Sequence, residues 1–317
     1  MSDARSSAPR GVSARGNPTA ATGRPRSPGG AGGTLVGLAW VSPWIIGFLA
    51  FMALPLGMSF YYSLSDYPLL EPPLYVGTQN YTALLNDDIF WLVLKNTVIY
   101  AAFSVPLGTV LALLIAGLLN QRVKGVGLFR LAVFVPQVVP VAASAMIWMW
   151  LFNGDVGLIN QLLELIGVTH TPNWLGDRAW AMPALIVMNL WVIGQSVVIY
   201  LAALQDVPKQ LYEAASLDGM GPARRFWHVA LPTISPVVLF NVIILTITCW
   251  QVFAVPYIMT DGGPDRATYF YTHYLYDNAF VYQKMGYASA LAWVQFLIIL
   301  SLTGVMFFVS RKVVSRD

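Results

Sequence analysis

The groups able to do chemistry in the apolar stretches of this chain are amides, hydroxyls and indoles. They are Asn96, Gln137, Ser144, Asn189, Gln195, Ser196, Thr246, Thr248, Gln251 and Gln295, accompanied by Trp148, Trp150, Trp191, Trp250 and Trp293. Amides and hydroxyls give and take hydrogen bonds without carrying charge, and indoles add flat apolar faces. Together they suit a neutral, hydroxyl-rich ligand. Taken singly, the same residues also read as interhelical hydrogen bonds and packing, worth about 0.6 kcal/mol each. Proton-coupled pumps and carriers place ionisable side chains inside the bundle, and these stretches hold almost none. His170, His228 and His273 are far apart, and the single cysteine, Cys249, excludes a disulfide or a cysteine metal cluster within the chain. The sequence has no Gly-rich Lys-Ser/Thr phosphate loop and no nucleophile elbow, so neither ATP hydrolysis nor hydrolase chemistry is expected of it.

One segment is of another kind. "LYEAASLDGMGPARRFWHVALPTISP", residues 211–236, packs acids, arginines, glycines and prolines between two apolar stretches, in a chain only 10% charged. Pro208 suits a first helical turn, and "KQLYEAASL" continues it with good helix formers. Gly219 accepts the left-handed conformation of a C-terminal cap. Pro222 starts a second short helix that Pro232 and Pro236 close. The expectation over 207–234 is a compact helix–turn–helix knob wired to the apolar stretches on both sides. A rigid knob can transmit motion where a loose loop cannot.

What must position these groups follows from composition. The 317 residues are 57% hydrophobic and 10% charged, whereas a soluble domain carries roughly a quarter charged residues. Lipid is therefore the expected solvent for much of the surface. Crossing a bilayer core takes about 20 apolar helical residues, and six stretches suffice: 35–60, 91–118, 128–152, 180–204, 235–259 and 288–310. Arg5, Arg10, Arg15, Arg24, Arg26, Arg122, Lys124, Arg130, Lys209, Arg224, Arg225, Arg311, Lys312 and Arg316 fall on one side of that arrangement. Of the 18 basic residues only Lys95, Arg178, Arg266 and Lys284 fall on the other. Positive charge marks the cytoplasmic side, which places both termini there and requires an even number of spans. The net charge of +3 thus reflects topology and is no nucleic-acid footprint. Residues 1–33, rich in Gly, Ala, Ser, Pro and Arg, read as a disordered cytoplasmic tail. Residues 34–312 read as the six-helix domain, and 313–317 as a cytoplasmic C-terminus. "GLINQLLELIGV" puts Leu158, Leu162, Leu165 and Ile166 near one helical face, an interfacial helix against the bundle. "DGGPDR" at 261–266 is a tight turn.

The stretch "EAASLDGMGPARRFWHVALP" resembles the EAA motif of ABC importer permeases. The match covers Glu213, Ala214, Ala215, Asp218, Gly219, Phe226, Val229, Leu231 and Pro232, and departs at Met220, where the family commonly has Ala. "FVPQVVPVAASAMIWMWLFNGDVGLIN", "ALQDVPKQLYEAA" and "DGGPDRAT" are similar to the carbohydrate-uptake branch, its maltose-permease half in particular. The resemblance covers about 35–312. It implies an all-α membrane protein with the six-helix type I importer permease (MetI-like) fold, in a bacterial or archaeal inner membrane. It also implies that Glu213, Ala214, Ala215, Asp218, Gly219, Met220 and Pro232 belong to a coupling helix seated in an ATP-binding cassette subunit. ATP and Mg would be bound by that partner, with no cofactor in this chain. A second, unlike permease chain and an extracytoplasmic sugar-binding protein would complete the assembly. For the substrate path, the resemblance points to Gln137, Asn189, Trp191, Trp250 and Gln251, with Gln195 and Ser196 beside them.

The expected function is the permease subunit of an ATP-driven importer for a sugar or related polyol. A free-standing secondary carrier and a membrane transferase are the rivals. The first would show uptake that follows an ion gradient without the ATPase, the second turnover of a lipid-linked substrate by the chain alone. The topology is tested by cysteine labelling from outside the cell. Positions near Asp88 and Asp265 should react, and positions near Lys124 and Arg225 should not. Labelling at Arg225 would reverse the orientation.

Overall fold

The computed structural model describes residues 31–121 and 124–314. The tail expected over 1–33 therefore lies, up to residue 30, outside the described residues, as do the last three residues. The chain divides into two units, Met1–Leu56 and Gly57–Asp317. In the first, helix Ala31–Phe48 leads into a wider π-helical turn, Leu49–Ala53. Its large side chains are bare: Trp40 is 84% exposed and Phe51 is 86% exposed. So apolar a surface is stable only in lipid or against another apolar surface.

Among the described residues, four helices are long and apolar enough to cross a membrane: Val36–Ser63, Asp88–Leu119, Ser235–Met259 and Met285–Ser310. Two bent pairs bring the number to six if each pair is one span. Here the structure differs from the continuous spans expected over 128–152 and 180–204. The third span is Val126–Val138 plus Val141–Leu151, turned by 104°. Pro140 has no N–H to continue the helix and forces its predecessor out of helical conformation. Val139 is accordingly extended, with φ −70° and ψ 129°. The fourth span is Arg178–Trp191 plus Gly194–Asp206, turned by 46°. Span five is interrupted as well, between Trp250 and Ala254.

Of the three apolar clusters in the second unit, two bear on the site. One gathers Tyr100, Ala145, Leu185, Met188, Trp250 and Phe270. The other gathers Ala112, Ala116, Val197, Tyr200, Leu204 and Ile234. Small residues let the helix backbones approach in such cores, and one close approach is at Gly194. A Cβ there would stand 2.5 Å from the Val133 carbonyl oxygen.

The segments between spans are tied by polar contacts. Asp87 caps the second span by accepting from the Ile89 amide, and it also accepts from Tyr287 at 2.7 Å and from Tyr274. Burial alone would raise the Asp87 carboxyl, but the hydrogen bonds from Tyr274, Tyr287, Ile89 and Phe90 outweigh it and hold its pKa below the usual value. Asn96 donates to the Arg266 and Tyr269 carbonyls at 2.9 and 3.1 Å. The turn it grips has Asp261, Gly262, Asp265 and Arg266 all at positive φ, the tight turn expected of "DGGPDR". Arg178 pairs with Asp265 and joins that turn to the start of span four. The expected interfacial helix is present at Leu158–Leu165, but its leucine stripe does not pack on the bundle. Leu165 is 81% exposed and Ile166 is 77% exposed. Asn160, on the other face, does the anchoring. It donates to the Gly154 and Pro172 carbonyls and accepts from the Trp174 indole.

The bend in span four yields a test. Gly194→Ala puts a methyl against fixed backbone, an overpacking that costs about 1–3 kcal/mol. Gly108→Ala meets only side-chain carbons at 3.7 and 3.9 Å. Thermal unfolding of the detergent-purified protein should drop by several degrees for Gly194→Ala and stay unchanged or rise for Gly108→Ala. Equal midpoints would show that the crossing is not close.

Candidate functional site

Three interrupted spans meet at one place. A cavity of about 370 Å³ is lined by Val141, the first residue past the break in span three, by Val192 in the break of span four, and by Gln251, Val252 and Phe253 in the break of span five. Asn189, Thr248 and Tyr100 add polar groups to a lining that is otherwise mostly apolar. Interrupted helices matter because each break frees backbone groups that lipid cannot satisfy. In span five the Trp250 carbonyl accepts from Gln295 Nε2 at 2.7 Å and from Thr272 Oγ1 at 3.4 Å, and Gln295 also donates to Thr272 at 3.1 Å. The Gln251 amide still reaches back to the Ile247 and Thr248 carbonyls. The break is thus held open by side chains from the last span and from the preceding loop.

The expected path residues fall in different surroundings. Asn189 and Gln251 share the cavity. The Trp250 side chain is buried in the apolar core and is 4% exposed; its carbonyl, not its indole, meets the break. Trp191 stands edge-on to Trp148 with ring centres 5.8 Å apart. Gln137 is exposed just ahead of the 139–140 break. Ser196 is buried and donates to Asn241 Oδ1 at 3.1 Å, and Gln195 is exposed on the same helix. Tyr100 and Phe253 line the cavity without having been singled out. An aromatic within an apolar stretch carries no sequence signal for which side it faces. In the sequence Gln295 is only one deep polar group among ten.

The second candidate surface is the knob. Helix Lys209–Leu217 is followed by helix Pro222–Arg225 and a π-helical turn, Phe226–Ala230. The Gly219 amide donates to the Ser216 carbonyl and the Met220 amide to the Ala215 carbonyl, at 3.1 and 3.0 Å. Gly219 has φ +73°. This is the Schellman closure, in which the residue after the left-handed Gly makes an apolar contact back to the helix. Met220 supplies that side chain: it, Ala214, Ala215, Asp218 and Pro232 line one hollow of about 380 Å³. Glu213, Ala214 and Asp218 are exposed and Ala215 is buried. Leu217, within the segment but not singled out, is 90% exposed at the helix end.

Comparison with known proteins adds relatives to this geometry. Residues 104–315 match the family described as "Binding-protein-dependent transport system inner membrane component". A probable ABC transporter permease of Bacillus subtilis, YesP, is 37% identical over 86% of this chain and 89% of its own length. The trehalose/maltose transport system permease MalF of Thermococcus litoralis is 34% identical over 87% of this chain and 94% of its own. Among solved structures, a chain of a bacterial alginate ABC transporter superposes with a TM-score of 0.77 at 22% identity, covering 89% of this chain and 96% of that one.

The cap of the knob can be tested apart from any transport. A Cβ on Gly219 would meet nothing within 4 Å, so only backbone conformation opposes a side chain there. Gly219→Val should cost about 1–3 kcal/mol, whereas Gly219→Asn should be tolerated because Asn enters the left-handed region readily. Hydrogen exchange at the Asp218, Gly219 and Met220 amides should quicken about tenfold or more in the Val variant and little in the Asn variant. Equal protection in both would refute the cap.

Proposed function

The chain belongs to the family of inner membrane components of binding-protein-dependent transport systems, and from that premise we propose that it conducts a sugar or related polyol across the membrane as one half of an ATP-driven importer. One observation carries this reading: three spans break around a single cavity with uncharged polar groups in its lining. Transporter sites lie typically where helices are discontinuous near the bilayer middle. Asn189, Thr248 and Gln251 offer donors and acceptors, and Tyr100 and Phe253 offer ring faces. That combination orients a polyhydroxyl ligand without trapping an ion. The similarity to a permease of a trehalose/maltose system supports the same ligand class. Gln137, Trp191, Gln195, Ser196 and Trp250 surround or support the path.

The driving force enters through the knob. Glu213, Ala214, Ala215, Asp218, Gly219, Met220 and Pro232 form the surface that an ATP-binding cassette subunit grips, with Leu217 at its tip. ATP and Mg sit on that subunit, and this chain contributes no nucleotide site. Residues 209–230 are continuous with spans four and five, and the Schellman closure keeps the two short helices in one body. A push on the knob is therefore delivered to the breaks at 192–193 and 251–253, which open or close the cavity. A second permease chain supplies the other wall, and a sugar-binding protein outside the membrane delivers the ligand. Both termini lie in the cytoplasm.

Two groups of variants separate path from coupling. Asn189→Ala and Gln251→Ala should lower uptake roughly tenfold, as loss of one or two ligand hydrogen bonds would, while the ATPase subunit still co-purifies. Gly219→Val and Glu213→Ala should lose the ATPase subunit, or the stimulation of its hydrolysis by loaded binding protein, with the membrane level of the chain unchanged. Normal uptake in both path variants would remove the cavity from the pathway. Normal coupled transport in Gly219→Val would remove the knob from the coupling.

A further inference from the structure

Another cavity, of about 710 Å³, lies apart from the path, between the end of helix Asp88–Leu119 and the second half of the knob. Leu114, Leu118, Leu204 and Phe226 wall it, and Arg225 and Gln121 stand among its polar lining. Leu114 is 52% exposed and Leu118 is 63% exposed, on a helix whose composition suits lipid. The trough is therefore open along an apolar helix face.

Arg225 is the unusual member. It is half-buried, and its Nε is enclosed without a hydrogen-bond partner. Among the described residues no carboxylate stands within ion-pair distance of it. A buried donor left unpaired is costly, more so on a charged group. Its planar guanidinium matches phosphate oxygens. Two neighbours favour the same kind of ligand. Arg130 donates to the Leu119 carbonyl at 3.3 Å, bringing a second positive charge to the same helix end. Trp227, 60% exposed, carries an indole of the kind enriched at membrane–water boundaries.

We propose that this cavity binds an anionic phospholipid, whose headgroup phosphate accepts from Arg225 while an acyl chain lies along Leu114 and Leu118. An apolar helix of another subunit would fill the trough but leave the Arg225 charge without a counter-ion, and a free phosphate would satisfy Arg225 but leave the apolar wall bare. A lipid answers both. The site adds a ligand class to the transport reading and does not depend on which solute is carried. It makes the knob sensitive to the charge of the surrounding bilayer.

The test uses the full chain with its co-purifying subunits, delipidated in detergent and titrated with phosphatidylglycerol or phosphatidylcholine. Bound lipid is counted by native mass spectrometry. Phosphatidylglycerol should bind saturably and phosphatidylcholine weakly. Arg225→Gln should weaken phosphatidylglycerol about tenfold, the effect of one charge-assisted hydrogen bond. Arg225→Lys should keep most of the binding, and Arg224→Gln, on the exposed neighbour, should change nothing. Leu114→Trp should reduce binding by filling the trough with no change of charge, which keeps the test sound if Arg225→Gln fails to fold. sn-Glycerol 3-phosphate, the headgroup fragment without chains, should not displace the lipid. Equal binding by wild type, Arg225→Gln and Leu114→Trp would overturn the proposal. So would displacement by glycerol phosphate, or a cysteine at Ala223 that cross-links to another subunit in place of the lipid.

Discussion

Inside a bilayer a freed backbone carbonyl has no water to turn to, and the second unit of this protein is organised around meeting that demand. The break after Trp250 survives because Gln295, from the last span, and Thr272, from the loop before it, both donate to the Trp250 carbonyl. The contact joins three regions far apart in sequence. It also explains why a glutamine is tolerated at a position only 7% exposed among apolar neighbours. With the carbonyl satisfied, the chain can leave helical geometry at 251–253 and expose Gln251 and Phe253 to the cavity. Without it, the cheaper state would be an unbroken helix and a closed wall.

The other two breaks are satisfied differently. Span three turns at Pro140, where the residue has no N–H to leave unpaired and the preceding Val139 is extended by steric necessity. Span four turns where Gly194 lets its helix lie against the backbone at Val133 and Phe134, in the first half of span three. A carbonyl acceptor, a proline and a glycine contact thus yield three discontinuities at one cavity. Outside the bundle, Asn96 and the Arg178–Asp265 pair hold the 261–266 turn against spans two and four. The loop that supplies Thr272 is therefore itself anchored.

The knob follows the opposite economy. It lies where its polar groups can be exposed, and its rigidity comes from a single closure at Gly219 and Met220. Met220 places a long apolar side chain beside that closure. Leu217 at its end adds an apolar point to an otherwise polar helix. The trough at Arg225 adjoins the same body, between its second half and the end of helix Asp88–Leu119.

Much of this could be read from the chain alone, and the reason is chemical. Apolar runs near 20 residues have no stable option but a helix in lipid, so the number and order of spans follow from composition. Gly219 between "SLD" and "MGP" can do little but close a helix, and the left-handed φ was expected from residue types. Other features depended on contacts between residues distant in sequence. Asn189 and Gln251 look no different in the chain from Gln195 and Ser196; which amide reaches the cavity depends on the rotation of each half-helix after its break. Trp250 carried the chemistry of a ligand platform, yet its indole is core and its carbonyl is the useful atom. The stretch 128–152 reads as one continuous span, and its turn of 104° is seen only in the structure. Residue type determined where helices must run and where they could fail. Only tertiary packing decided how far they turn, which side chains satisfy the freed groups, and which faces remain open, because those outcomes depend on neighbours that local sequence does not contain.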